Sequence, residues 1–206
     1  MTNALDGIKV VEVSTMAAVP MAARHLADFG ADVIHIENPV TGDPWRWWLT
    51  AGGREVPPKA NYQWWENQNR NKRSITLDLA QDRGQEVLHN LVKKTDVFLT
   101  NCRPAEVAKF NLQYENLKSL NPGLIYGGLT GYGREGADNN LPGFDSTAFW
   151  CRSGLLYMLQ QAGMPPPSPG NRLLACGDNI TALALAFGIM MALYVRDRTG
   201  KGQEID

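Results

Sequence analysis

The feature that most constrains this chain is the run from Ile180 to Val195, in which nearly every side chain is apolar. Cys176-Gly177-Asp178 opens it, and the basic, glycine-bearing tail from Arg196 to Gln203 closes it. A segment this apolar at helical length reads as a core helix, buried on most of its circumference rather than along one stripe. The run falls short of the roughly 20 residues that a bilayer crossing needs, and Thr181 and Gly188 interrupt it, so no membrane span is expected. Asp178 stands at the mouth of this helix. A carboxylate there accepts hydrogen bonds from free N–H groups of the first turn and faces the positive helix end, and both effects favour its ionised form. Taken alone, the residue reads as an N-cap.

At 206 residues, with 44% hydrophobic and 20% charged side chains, the composition is that of one globular domain, expected over 1–206. Lys and Arg number 20 against 21 Asp and Glu, a formal charge of −1, so no global field calls for nucleic acid or an anionic membrane as partner. The amino-terminal MTNALDGIKVVEV lacks the basic-then-apolar pattern of a signal peptide, and a cytoplasmic location is expected. Cys102, Cys151 and Cys176 are scattered without CxxC spacing, and His25, His35 and His89 are equally dispersed. Neither a disulfide framework nor a metal site is expected.

Ile8 to Val13 is a β-branched strand, Pro20 to Phe29 a helix stopped by Gly30, and Asp32 to Glu37 a second strand. This βαβ unit predicts a Rossmann-like α/β fold, an open parallel sheet flanked by helices. The turn from Ser14 to Val19 has no GxGxxG, so a standard dinucleotide site is not supported. Residues 38–70 read as a long irregular segment carrying Trp45, Trp47, Trp48, Trp64 and Trp65, which either line a pocket or cover the sheet. Arg70, Lys72 and Arg73 precede a strand from Ser74 to Leu77. A helix over Asp82 to Lys94 presents Val87, Leu88, Leu91 and Val92 on one face, and a strand follows over Asp96 to Thr100. Asn101-Cys102-Arg103-Pro104 comes next, then a helix over Tyr114 to Leu120, a strand over Leu124 to Leu129 and the turn Thr130-Gly131-Tyr132-Gly133. Ser146 to Gln160 is helical in pattern, and Pro165 to Pro169 is a rigid connector. Ligands of open parallel sheets bind outside the carboxyl ends of the strands, so the turns after Val13 and Thr100 are the natural walls of a site.

Several pieces, in order, resemble one family: LADFGADVIHIENPVTGD (Leu26 to Asp43), NRNKRSITLDL (Asn69 to Leu79), NCRPAEVAKFNL (Asn101 to Leu112), LNPGLIYGGLTGYG (Leu120 to Gly133) and the stretch from Cys176 to Gln203. Together they are similar to the amino-terminal half of the class III (CaiB/BaiF-type) coenzyme A transferases. The resemblance implies that Asp178 is the nucleophile, passing through an aspartyl mixed anhydride and an aspartyl-CoA thioester, and that Asp145 is a second active-site carboxylate. It implies CoA or acyl-CoA as substrate with no tightly bound cofactor. The CoA contacts it suggests are Thr15, Ala17, Ala18, Leu77, Asn101 and Cys102, with Lys109 where the family often carries Arg. Family members are interlocked dimers of roughly twice this length that return a glycine-rich loop to the site. On that basis the chain is expected to be one part of a larger fold and a homodimer when full length.

Two departures refine this. Where most members read Glu-Arg-Pro, this chain reads Glu37-Asn38-Pro39, leaving Arg70, Lys72 and Arg73 as candidates for the lost phosphate contact. Phe144 precedes Asp145 where the racemase branch has a His, and a phenyl ring moves no protons, which disfavours acyl-CoA racemisation. The stretch DSTAFWCRSGL is similar to that of family members acting on 2-hydroxy acids and enoyl-CoA esters with phenyl or branched side chains. The expected activity is therefore CoA exchange between an acyl-CoA and such an acid. A CoA-binding module without catalysis, or a half that works only when assembled with a separate chain, are the alternatives.

Overall fold

The computed structural model describes residues 3–47, 50–51, 54–55, 58–165, 167 and 175–206, and the side chains of these apart from 50–63. Trp48 and most of the connector expected over 165–169 lie outside the described residues.

Strands β1 (Lys9–Val13), β2 (Asp32–Glu37), β5 (Arg73–Thr76), β6 (Val97–Thr100), β7 (Ile125–Gly128) and β8 (Gln203–Ile205) form one sheet in the order β5-β2-β1-β6-β7-β8. Every pairing in it is parallel. The open α/β sheet expected from the sequence is thus the observed fold. The four central strands β2, β1, β6 and β7 are largely buried on both faces, as parallel sheets require, so neighbouring residues serve opposite layers, while the edge strands β5 and β8 are more exposed. Val10, Leu99 and Ile125 pack against α1 (Ala18–Asp28) and α7 (Cys176–Thr199), whereas Val11, Phe98 and Tyr126 pack towards α3 (Asp82–Val92) and α5 (Tyr114–Leu120). The chain winds outward in both directions from the β1/β6 pair. That pair is the topological switch point, and the crevice beyond its carboxyl ends is where a ligand fits.

The segment 38–70 is not irregular throughout. It holds a 3-10 turn (Pro44–Arg46), a short antiparallel pair β3 (Thr50–Ala51) and β4 (Arg54–Glu55), and helix α2 (Pro58–Asn69). Among its described side chains, the two that α2 buries are polar, Gln68 and Asn69, so the sequence shows no apolar stripe there. Trp45 stacks on Trp64 with ring centroids 5.6 Å apart, and the Arg46 guanidinium lies 3.7 Å over the Trp65 ring, so these aromatics are packing against one another. Helix α4 (Pro104–Lys109) was not expected, and Val87, expected on the buried face of α3, is exposed. The single helix expected over Ser146 to Gln160 is instead a π-helix (Asp145–Arg152) and a short α6 (Leu155–Met158), separated at Gly154, which has φ 81°.

Helix α7 corrects two expectations. At 24 residues it is long and apolar enough to cross a membrane by length and composition. It is also buried on one face rather than all round. Ala182, Leu185, Ala186, Ile189, Ala192 and Leu193 enter the core, while Ile180, Leu183, Phe187, Met191 and Tyr194 face outward, Phe187 with 69% of its surface exposed.

Candidate active site

Three turns at the carboxyl edge of the sheet build the site. The first follows β1. Asn101, just beyond β6, accepts the Thr15 amide at 3.0 Å and donates its own Nδ2 to the Thr15 carbonyl at 2.7 Å, so one side chain ties the two strands' exits together. Met16 adopts φ 66°, and Ala17 and Ala18, both buried, begin α1, whose first turn carries no side-chain cap and no acid. Uncapped first-turn amides make a helix end receptive to anions.

The second turn follows β6. The Cys102 amide donates to Thr100 Oγ1 at 3.1 Å, and burial pushes the Cys102 thiol up from its ordinary pKa. Glu106 accepts the Arg103 amide at 3.0 Å, starting α4, and Lys109 closes that helix with its ammonium 5.1 Å from the Phe110 ring centroid, exposed to solvent.

The third turn follows β7 and brings two carboxylates together. Gly131 and Gly143 meet back to back, and a Cβ on either would lie 2.6 or 2.5 Å from the other's Cα, so only glycine permits this crossing. Immediately beyond it Phe144 is half-exposed and Asp145, 8% exposed, opens the π-helix. Asp145 Oδ1 accepts the Asp178 amide at 3.1 Å, and its Oδ2 accepts the Trp150 indole N–H at 3.1 Å. The Phe149 ring lies flat against Gly177, where any Cβ would sit 2.2 Å from the ring. The fold thus brings Asp145 and Asp178 together from positions 33 residues apart.

This geometry corrects the reading of Asp178 as its helix's own cap. Ala175, at φ 63°, is the capping position, Asp178 lies within the first turn, and the carboxylate that accepts a first-turn amide is that of Asp145. Nor is the ionised form of Asp178 favoured. Burial, and then the charge of Asp145, raise its pKa to about 6. A carboxylate of raised pKa is a more basic and more reactive nucleophile once it is deprotonated.

The sequence matches CoA-transferase family III over residues 5–206. The chain belongs to that family. It is 39% identical over 204 residues to a cinnamoyl-CoA:phenyllactate CoA-transferase of Clostridium sporogenes, a match covering 99% of this chain and 48% of the relative. It is 37% identical to an (R)-2-hydroxy-4-methylpentanoate CoA-transferase of Clostridioides difficile, covering 98% of this chain and 49% of the relative. A crystal structure of a CaiB/BaiF family protein from Brucella suis superposes with a TM-score of 0.86 at 35% identity, covering 100% of this chain and 53% of that one. The chain spans about half the length of the curated relatives it matches.

Of the residues suggested as family III CoA contacts, Thr15, Ala17, Ala18, Asn101 and Cys102 gather at the switch point, and Lys109 lies on the helix that follows. Leu77 is at the same end of the sheet but beyond the edge strand β5, half-buried, with its amide on the Glu37 carbonyl at 3.0 Å. The cations expected to replace the missing Arg are engaged elsewhere. Arg73 opens β5 at the opposite end of the sheet and pairs with Asp32 at 2.6 Å, and Arg70 pairs with Asp28. Lys72 is corrected outright: its ammonium, 1% exposed, donates to Glu12 Oε2 at 2.8 Å, the Pro20 carbonyl at 2.8 Å and Asn69 Oδ1 at 2.9 Å. Asn38, standing where the Arg would be, accepts the Val40 and Thr41 amides in a turn.

The Lys72 ammonium belongs to a buried cluster that the sequence did not announce. Glu12 and His35 are both fully buried, with His35 Nδ1 3.3 Å from Glu12 Oε1. Burial alone would raise the Glu12 pKa, yet Lys72 and His35 overcome it and hold it at about 2. The only sequence signal was a Glu alternating with apolar residues in a strand buried on both faces. Phe149 and Trp150 were expected from the sequence as apolar pocket lining, but the bond from Trp150 to Asp145 was not, because its partner sits five residues earlier, a spacing with no meaning in an α-helix. Among the described residues, no group of three or more His, Cys, Asp or Glu is placed to hold a metal.

Proposed function

We propose that this chain carries the nucleophile and the CoA-facing turns of a CoA transferase, and that Asp178 is that nucleophile. The observation that carries the reading is the Asp145–Asp178 contact at the start of α7, with the Asp178 pKa lifted to about 6. In the proposed sequence a carboxylate oxygen of Asp178 attacks the thioester carbonyl carbon of the donor. The C–S bond breaks, CoA leaves as thiolate, and a mixed anhydride remains. The thiolate then attacks the aspartyl carbonyl, releasing the donor acid as its carboxylate and leaving an aspartyl-CoA thioester. The acceptor carboxylate repeats the exchange in reverse order, taking CoA and restoring Asp178. Each thioester-to-anhydride step is uphill and is followed by a downhill return to a thioester, so splitting the reaction replaces one difficult direct exchange by covalent steps at a positioned carboxylate.

For the acid we propose a 2-hydroxy acid with an aromatic or branched side chain. Phenyllactate and 2-hydroxy-4-methylpentanoate, named for the two relatives above, share a 2-hydroxy acid head. Phe149, half-buried beside Asp145, supplies apolar surface, whereas Trp150 is buried against it and Trp45, Trp64 and Trp65 pack among themselves and Arg46. Incubating the chain with cinnamoyl-CoA should produce a covalent adduct by intact mass, discharged faster by phenyllactate or 2-hydroxy-4-methylpentanoate than by formate. Each buried methylene contributes about 0.8 kcal/mol, so a preference of tenfold or more for the larger acids is within reach. Faster discharge by formate would sink the substrate assignment, and no adduct would leave a CoA-binding module.

The pH dependence carries a sign. Only deprotonated Asp178 attacks, so the initial rate of adduct formation should rise with pH through a midpoint near 6. Removing the neighbouring charge in Asp145→Asn should move that midpoint to lower pH, because Asp145 is one of the two causes that raise it. An unmoved midpoint would mean that the two carboxylates do not titrate as neighbours.

A further inference from the structure

Met16 sits in the left-handed region at φ 66°, where a Cβ crowds the adjoining backbone. Such a conformation persists only when its surroundings hold it. Two residues do so, from opposite sides. Asn101 grips Thr15 from the crevice side through its two hydrogen bonds. Behind the turn, Asp43, with no solvent exposure, accepts the Met16 amide on Oδ2 at 3.0 Å and the Trp45 amide on Oδ1 at 2.7 Å. The Asp43 amide is itself fixed to Glu37 Oε2 at 2.9 Å, and Glu37 is held by Arg46 at 2.7 and 2.6 Å and by Ser74 Oγ at 2.8 Å. Capping the Pro44–Arg46 turn alone would be served equally by Ser or Asn. Accepting two amides on two different oxygens requires a carboxylate.

We infer that Asp43 is a positioning residue for CoA: it locks Met16 in the left-handed turn and so aims the Thr15–Ala18 segment and the uncapped amides of α1 into the crevice. This rests on the reading that CoA is the ligand there. Asp43→Asn preserves size but turns one acceptor into an NH2 that faces an amide N–H. Two measurements test it. Hydrogen exchange at the Met16 amide, followed by NMR, should accelerate about tenfold or more while β6 amides stay protected. CoA affinity by calorimetry should fall about tenfold, and adding Met16→Gly to Asp43→Asn should regain most of it, since glycine adopts the turn without strain. Unchanged exchange at Met16 overturns the inference, as does a loss of affinity that glycine does not restore. If the unaltered chain binds no CoA, the CoA reading falls, and the exchange measurement still decides whether Asp43 holds the turn.

Discussion

Replacing Asp178 by alanine is expected to abolish covalent adduct formation with acyl-CoA, by roughly 10^4-fold or more, while leaving CoA affinity largely intact. The group removed is the one that bonds to the acyl carbon, whereas the turns holding Thr15, Asn101 and Lys109 are untouched. Stability supplies the control. The folded-state pKa of Asp178 is raised from 3.8 to about 6, so the folded protein binds that proton more tightly than the unfolded chain. Its contribution is therefore present below about pH 3.8 and is lost as pH rises through 6. Asp178→Ala should consequently be at least as stable as the parent at pH 7, which separates lost chemistry from lost fold. In the unaltered chain, hydroxylamine added after acyl-CoA should mark residue 178, and a mark on Asp145 instead would overturn the assignment.

The largest effect on stability is expected at Lys72, which bonds Glu12 and the Pro20 carbonyl. Lys72→Met keeps the aliphatic stem but leaves Glu12, fully buried, without its cation. Breaking a buried pair from one side costs about 3–5 kcal/mol, or roughly 10 °C in melting temperature for a chain of this size. The pH profile should change as well. In the parent, Glu12 has its pKa depressed from 4.5 to about 2, so its contribution is present above pH 4.5 and is lost as pH falls through 2. Without Lys72 only His35 opposes burial, so the Glu12 pKa should move up from its depressed value, and the deficit should be greatest at neutral pH and shrink as the carboxyl is protonated in acid. Thermal melts at pH 4 and pH 7 check this. Equal melting temperatures of parent and variant at pH 7 would mean that the pair contributes nothing net.

Much of the sheet was legible because parallel strands must be apolar on both faces. Asp32–Glu37 and Tyr114–Leu120 have the bounds expected from their patterns, and the turns after β1 and β6 lie where strand polarity places them. Buried polarity defeated the same rules. Lys72 and Arg73 are adjacent cations ahead of a strand, yet one sits inside against Glu12 and the other on the surface against Asp32, a difference made by which face of β5 each approaches. Helix α2 was hidden because Gln68 and Asn69 turn inward. Asp178 was singled out by the Gly-Asp pair and the family resemblance, but the upward shift of its pKa was not legible, because it comes from burial and then from a carboxylate that arrives from a distant segment through the Gly131–Gly143 crossing.

The π-helix has a consequence for how this site tolerates insertion and loss. In π register, residues five apart fall on the same side of the helix, which lets the Trp150 indole reach Asp145; in an α-helix the same pair would be about 140° apart around the axis. Winding and contact are therefore two aspects of one constraint. Deleting a single residue between Asp145 and Trp150 would let the segment relax into the commoner helix at little cost to its backbone, yet the indole would swing away and Asp145 would lose one of its two anchors. Residue spacing between Asp145 and Trp150 is thus set by a wide helical turn, and a change in length there should disturb the site more than a change of side chain on the outer face.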